Sequence, residues 1–251
     1  MRAPKIVIGI PTGWHLAYQW VAWWLDWSSG PHPGSEVAVL FEASNTKACA
    51  YSNIIESAKA DRDLTHLVIL ETNHVLQVPI DRFVRRIQQF HCALSPTRFT
   101  DNSIGTDAIF HEDTSTLPTE HVERQEGLNN GRELAPWECR FGATGVVSMD
   151  RAVVHSLKPR FTWEIKSRSK VLTRDLLVYC YDGDTWPDHP DPEISKPDAG
   201  NPVRRLAIEQ SLYSSVRAGG FGVWADPQLY SVNLRLGGSY PSLRLGDLPE
   251  R

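Results

Sequence analysis

Cysteine is scarce in this chain. Cys49, Cys92, Cys139 and Cys180 are the only four, and none stands in a CxxC pair, so the sequence shows neither a zinc ribbon nor a redox motif. Reduced, mostly buried thiols are expected, as in a reducing cytosol. The nine histidines form no HExxH or other dense ligand set. No apolar run is long enough to cross a bilayer. The opening MRAPKIVIGIPTG holds a run of strand length, shorter than a signal peptide requires, and Gln19 and Asp26 interrupt the Trp-rich stretch His15 to Trp27. A cytoplasmic location without a membrane anchor is therefore expected. Nor is there an excess of one charge: the formal net charge is −4, so the whole molecule is no electrostatic magnet for nucleic acid or anionic lipid. There is no internal repeat.

What is present is an ordinary globular composition, 41% hydrophobic and 22% charged over 251 residues, enough to bury a core without staples. Lys5 to Ile10, Val37 to Phe41 and Leu67 to Leu70 are short, continuous apolar runs of the kind found in strands buried on both faces. Leu16, Trp20, Trp23, Trp24 and Trp27 recur at helical spacing, which predicts core packing for that Trp set. Ser44 or Asn45 can cap a helix to about Ala60, with an inner face of either Ala48, Ser52, Ile55 and Lys59 or Tyr51, Ile55 and Ala58. Pro79 opens a helix lined by Ile80, Phe83, Val84, Ile87 and Phe90. The βαβαβα order predicts an α/β fold: a mostly parallel central sheet with helices on both faces.

Ser95 to Pro136 is polar and aperiodic, and Tyr181 to Pro202 is rich in Pro and Asp, so both read as loops. Gly145 to Met149 predicts a strand, and Asp150 a cap for a short helix to Leu157. Arg204 to Ala218 predicts a helix and Phe221 to Trp224 a late strand. The organisation expected is residues 1–95 as one half, 96–138 as a long loop or insertion, 139–236 as a second half and 237–251 as a tail, all within one domain.

In open α/β sheets, ligands bind outside the carboxyl ends of the strands. That rule selects Pro11-Thr12-Gly13, Glu42 to Asn45, Glu71-Thr72-Asn73 and the segment Gly142 to Gly145. Glu71 follows a very apolar strand and must be solvated or paired; with Asn73 it could also simply cap the next turn. Trp137, Trp163 and Trp186 stand in less regular stretches and are the stacking candidates. His66 and His74 flank the third strand and read as structural; His111 and His121 lie in the polar loop.

These segments together resemble the GT-A glycosyltransferase family. THLVILETNHVLQVP (65–79) is similar to the strand that ends in Asp-x-Asp, followed by a Pro-led helix. IGIPTG resembles the first strand and its nucleotide-contacting turn, and Glu42 lies where an acidic residue commonly contacts the base. AYSNIIESA (50–58) resembles the helix that often reads Ala-Arg-Asn. FGATGVVSMDRAVV (141–154) resembles the donor-sugar and acceptor segment. IEQSLYSSVRAGGFGVWADPQLYSVNL (208–234) resembles the Glu-Asp helix, the Ala-Gly-Phe turn and the strand leading to a His-Leu pair.

The resemblance covers most of 5–95 and 139–235 and implies a Rossmann-like nucleotide-diphospho-sugar transferase. Its donor would be a UDP-sugar or another nucleoside-diphosphate sugar, and its chemistry inverting. Backbone groups of Pro11, Thr12 and Gly13 would meet the nucleotide, Glu42 the base or ribose, Glu71, Thr72 and Asn73 the diphosphate and sugar, and Thr144 and Gly145 the sugar pocket, although small residues there equally suit tight strand packing; Asn53, the Asn of the Ala-Arg-Asn-like helix, would also belong to the donor site. Glu209 would be the catalytic base, with Asp175 and Asp184 as alternatives.

The family's metal ligands fall at Glu71, Asn73 and Asn233, where one carboxylate and two carboxamides replace its Asp, Asp and His. Hard cations prefer charged oxygens, so weak or absent Mn²⁺ or Mg²⁺ binding is expected. Lys47, or the basic run Arg160, Lys166, Arg168, Lys170 and Arg174, would then neutralise the leaving group. The acceptor is not readable; the Arg-rich stretches admit a polyanionic or nucleic-acid one. A catalytically inactive GT-A-like module that binds nucleotide or glycan is the competing reading. A nucleotidyltransferase ranks last, because PTGWHLAYQW has one Gly and no Lys or Arg where that class carries a Gly-rich basic loop.

Overall fold

The computed structural model describes residues 3–12, 18–32, 34–43, 47–99, 109–110, 135–139, 141–142, 145–159, 161–167, 170–177, 208–229 and 231–234. For 97–99, 109–110, 141–142, 161–167, 170–176 and 208–210 only the backbone is described.

The main sheet contains β1 (Lys5–Thr12), β2 (Glu36–Ala43), β3 (Leu64–Leu70), β5 (Cys92–Leu94), β8 (Trp137–Cys139), β10 (Val146–Asp150) and β13 (Val223–Ala225). Their order across the sheet is β2-β1-β3-β10-β5-β13-β8. Five of the seven run the same way; β10 and β8 are reversed, so the sheet is mixed with one dominant direction. The apolar run near residue 145, expected as another strand of the sheet, is thus one of its two antiparallel members. A three-stranded sheet sits beside it, formed by β4 (His74–Leu76), β14 (Ser231–Asn233) and β6 (Thr97–Phe99) in the order β4-β14-β6. Two short pairs complete the strands: β7 (Ile109–Phe110) with β9 (Phe141–Gly142), and β11 (Phe161–Ser167) with β12 (Lys170–Leu176). The ends of the 96–138 stretch therefore carry strands; 100–108 and 111–134 lie outside the described residues.

Helices cover both faces, as the two separate core clusters show. Ile6, Ile8 and Ile10 of β1 point to one side, where α1 (Tyr18–Ser28) and α3 (Ile80–Ile87) pack. Val7, one step out of phase, points to the other, with α2 (Lys47–Ala60), α4 (Arg151–Ser156) and α5 (Ile208–Ala218). Gly9 permits the second packing: a Cβ there would lie 2.3 Å from Ile54 Cγ2, so the bare backbone lets α2 settle on β1.

The four tryptophans Trp20, Trp23, Trp24 and Trp27 are all buried, as their spacing predicts. Trp20 and Trp24 stack at 5.6 Å. Their buried N–H groups need acceptors: Trp20 Nε1 donates to the His74 carbonyl at 3.0 Å and Trp27 Nε1 to that of Val78 at 2.8 Å, which fastens α1 across β4.

Asp150 caps α4 by accepting from the Val153 amide at 2.9 Å. Of α2's two candidate faces, Tyr51, Ile55 and Ala58 is the one in the core, though burial extends round to Ala48 and Ser52. One expectation fails: Trp137 is no stacking platform, because strand alternation turns Trp137 and Cys139 into the core and Glu138 out. Trp14 and Trp186 lie outside the described residues, and Trp163 is described in backbone only. Cys49, Cys92 and Cys139 are buried, and burial pushes the Cys139 thiol up to about 12.

Candidate functional site

The carboxyl ends of β2, β1 and β3, three adjacent strands, form one rim. Pro11 pairs with Glu42 in the β1–β2 register, and Gly9 pairs with Ile69 in β1–β3. Continued for two residues, the second register brings Glu71 level with Pro11. Ala38 and Leu40 of β2 and Ile69 of β3 all pack against the core on the α2 side, so strand alternation turns Glu42 and Glu71 to that same side. Two strand spacings separate their backbones by about 10 Å.

Helix α2 supplies the partners. Asn53 Nδ2 donates to Glu42 Oε1 at 2.5 Å, and Thr12 Oγ1 donates to the Glu42 carbonyl at 3.1 Å. Lys47 and Tyr51, one helical turn apart, both reach Glu71 Oε1: the ammonium lies at 2.5 Å and the phenol donates at 2.5 Å. Glu71's side chain is 13% exposed and that of Lys47 43%, so the pair has a buried acidic end and a solvent-facing cationic end. Burial alone would raise the Glu71 carboxyl. The Lys47 charge, His74 and the hydrogen bonds from Lys47 and Tyr51 outweigh it and hold the group below its usual value.

Just beyond Glu71 the turn through Thr72 enters the small sheet, where Asn73, His74 and Asn233 meet. Asn73 Nδ2 donates to Asn233 Oδ1 over a long 3.5 Å, and Asn233 Nδ2 donates to His74 Nε2 at 3.2 Å. Nε2 is therefore the accepting nitrogen, and Nδ1 carries the proton it directs to Ser231 Oγ at 3.2 Å. Burial lowers the His74 imidazole to about 4 despite the opposing pull of Glu71, so the ring is neutral at neutral pH. Gly145 lies against the ring: a Cβ there would sit 2.0 Å from His74 Cε1. Its carbonyl accepts from the Glu71 amide at 2.8 Å. Gly145 reaches this rim because it precedes the reversed strand β10, not because it ends a parallel one.

The structure thus brings together Pro11, Thr12, Glu42, Lys47 and Asn53 with Glu71, and places Thr72, Asn73, Gly145 and Asn233 directly beside them. Gly13 and Thr144 lie outside the described residues. Glu209 belongs to α5, whose Leu212, Tyr213 and Val216 pack on the α2 side of the sheet; its backbone alone is described. Asp175 is likewise described in backbone only. Asp184, Arg160 and Arg168 fall outside the described residues, and Lys166, Lys170 and Arg174 are described in backbone within β11 and β12. Sequence reasoning assigned Tyr51 to packing and His74 to structure. The signals that would have drawn them in are the i, i+4 spacing of Lys47 and Tyr51, and the position of His74 directly after Asn73.

The donor set at Glu71, Asn73 and Asn233 is one carboxylate and two neutral carboxamides, a poor set for Mn²⁺ or Mg²⁺, and part of it is already engaged. Glu71 Oε1 already takes an ammonium and a phenol, and the Asn233 carbonyl takes the Asn73 amide. A dication about 4 Å from the Lys47 ammonium would meet a repulsion of roughly 8 kcal/mol at an effective dielectric of about 20. Among the described residues no group of three or more His, Cys, Asp or Glu could hold a metal ion. No helix among them is long and apolar enough to cross a membrane.

No family model matches the chain, and no curated protein matches it. Solved structures do. A197 from STIV is similar at 11% identity over 91% of this chain and 84% of that one, with a TM-score of 0.48. A protein assigned as a glucose-1-phosphate thymidylyltransferase from Bacillus anthracis, in complex with a sucrose, is similar at 11% identity over 61% of this chain and 74% of that one, with a TM-score of 0.31. Neither likeness assigns an activity. Strand order and direction define the class: an α/β protein with a mixed, mostly parallel seven-stranded sheet of Rossmann-like form and helices on both faces.

Proposed function

We propose that this chain is a nucleotide-sugar-dependent glycosyltransferase of the GT-A type, acting with inversion on a UDP-sugar or related donor. One observation carries the proposal: Glu42 and Glu71 stand level on one face of one rim, each held by a side chain of α2. Ligands of open α/β sheets bind there. In this reading the backbone at Pro11, Thr12 and Gly13 meets the nucleotide, and Glu42, fixed by Asn53, accepts from base or ribose hydroxyls. Glu71, Thr72 and Asn73 face the diphosphate and sugar, while Thr144 and Gly145 shape the sugar pocket and Asn233 orients Asn73. Glu209 takes the proton of the acceptor hydroxyl as its oxygen bonds to the anomeric carbon. The bond from that carbon to the diphosphate breaks through an oxocarbenium-like state, and the electron pair leaves with the nucleoside diphosphate.

The test is release of nucleoside diphosphate from a panel of UDP-, GDP- and dTDP-sugars. Turnover of at least one donor is expected, and Glu209→Gln should slow it roughly 10²- to 10⁴-fold. Donor binding with no hydrolysis and no transfer to any acceptor would reassign the protein as a GT-A-like binding module.

A further inference from the structure

We infer that Lys47 takes the place of a divalent metal at the donor diphosphate, with Glu71 as the residue that positions its ammonium. The inference rests on the nucleotide-sugar reading above and concerns how that same site handles charge.

The argument is one of charge and geometry. An Asp-x-Asp motif with a divalent cation sums to zero: two carboxylates against two positive charges. Here Glu71, the neutral Asn73 and Lys47 also sum to zero. The loss of one carboxylate matches the exchange of a dication for a monocation, so the rim keeps its charge balance without a metal. The ammonium is fixed rather than free. Its Nζ lies 2.5 Å from Glu71 Oε1 and 5.7 Å from the centroid of the Tyr51 ring. Tyr51 in turn binds the same carboxylate oxygen. Lys47 is also the more exposed partner of the pair. Held at the rim by Glu71, the ammonium can meet phosphate oxygens as charge builds on the departing diphosphate.

The experiment titrates UDP into the full chain by calorimetry, first with EDTA and then with Mn²⁺, with GDP, ADP and dTDP run alongside and uridine as the phosphate-free control. Equal UDP affinity in EDTA and Mn²⁺ is expected. Lys47→Met should weaken UDP roughly 10- to 100-fold while leaving uridine unchanged, and Mn²⁺ should not restore the loss. The pair Lys47→Met with Glu71→Gln, which leaves no buried carboxylate unpaired, should show a smaller loss in the same direction, and serves should the single variant fold poorly. Glu71→Gln alone removes a negative charge beside the phosphates and should tighten UDP by roughly 2- to 10-fold; a metal ligand lost there would weaken it. UDP binding that vanishes in EDTA and returns with Mn²⁺, or Lys47→Met binding UDP as the wild type does, overturns the inference and leaves the transferase reading standing. Failure of every diphosphate to bind under both conditions removes the transferase reading and this inference together.

Discussion

The imidazole of His74 occupies the space that any side chain at residue 145 would need. A methyl group on Gly145 would approach within 2.0 Å of Cε1 and 2.2 Å of Nε2. The ring cannot easily retreat, because Ser231 and Asn233 hold its two nitrogens. Gly145 cannot retreat either, since its carbonyl receives the Glu71 amide. Gly145→Ala is therefore expected to cost about 2–3 kcal/mol, as overpacked cores do. Urea unfolding should show a lower midpoint at an unchanged slope. Adding His74→Ala removes the obstacle, so the two changes together should be less harmful than the sum of each by at least ~1 kcal/mol. Strict additivity would mean that the clash is relieved some other way.

Acid should weaken this protein through His74. In the unfolded chain a histidine titrates near 6.5, whereas the buried ring titrates at about 4. Between those values the unfolded state binds a proton that the native state refuses, so stability falls as the pH falls through that window. The full effect is on the order of 3 kcal/mol, from roughly 1.4 kcal/mol per pH unit. Glu71 acts in the same direction further down: its native carboxyl is depressed, so its contribution is present above the ordinary carboxylate value and lost as the pH falls through the native one. His74→Gln keeps a hydrogen-bonding side chain but does not titrate. Its unfolding free energy should decline less steeply than the parent's from pH 7 to 5, the remaining slope including that of His66, whose imidazole burial also lowers; an equal decline in both proteins would clear His74 of the role.

How much of this was legible beforehand varies by element, and the reason is local against distant control. The runs KIVIGI and LVIL, the Trp spacing of α1 and the Asp150 cap are set by residues a few positions apart, and they stand where the pattern puts them. The direction of β10 is not such a property. Val146 to Asp150 reads as a buried strand either way, and its reversal depends on the route the chain takes between β5 and β10. The inward turn of Trp137 is hidden for the same reason: a three-residue strand shows no period by itself, and only its pairing with β13 decides which side is inward. In the candidate site, Glu42, Lys47, Asn53 and Glu71 could be named from strand ends and resemblance. The relay through His74 could not, because its partner strand β14 arrives 157 residues later in the chain.

Asp226 is fully buried and depends on Arg86. The guanidinium contacts both carboxylate oxygens, Nε donating at 2.5 Å and Nη2 at 3.2 Å, and the Gln228 amide donates to Oδ1 at 3.1 Å. This ties α3 to the chain just after β13. Arg86→Met would strand a buried charge and should cost about 3–5 kcal/mol. Adding Asp226→Asn removes the charge and should recover most of that, while Arg86→Lys should recover little, because one ammonium cannot reproduce the fork. Thermal unfolding of the three variants at neutral pH checks the order. A stable Arg86→Met single variant would show that Asp226 finds another partner.

The two ends of the rim should be separable by mutation. Asn53 acts on Glu42, and Lys47 on Glu71, from one helix. Six residues at 1.5 Å rise set the two about 9 Å apart along the axis. Should Glu42 hold the nucleoside and Lys47 the diphosphate, losing Asn53 leaves the Glu42 carboxylate less fixed. UDP and uridine affinity should then both fall by roughly ten-fold, the value of one good hydrogen bond. Stability should drop by only about 1 kcal/mol, because Glu42 is partly exposed. Lys47→Met, in contrast, should spare uridine. At that separation, the two losses on UDP should add to within about 0.5 kcal/mol in the double variant. A large coupling energy would instead place both side chains on the same ligand group, and the division of the rim into a nucleoside end and a phosphate end would have to be abandoned.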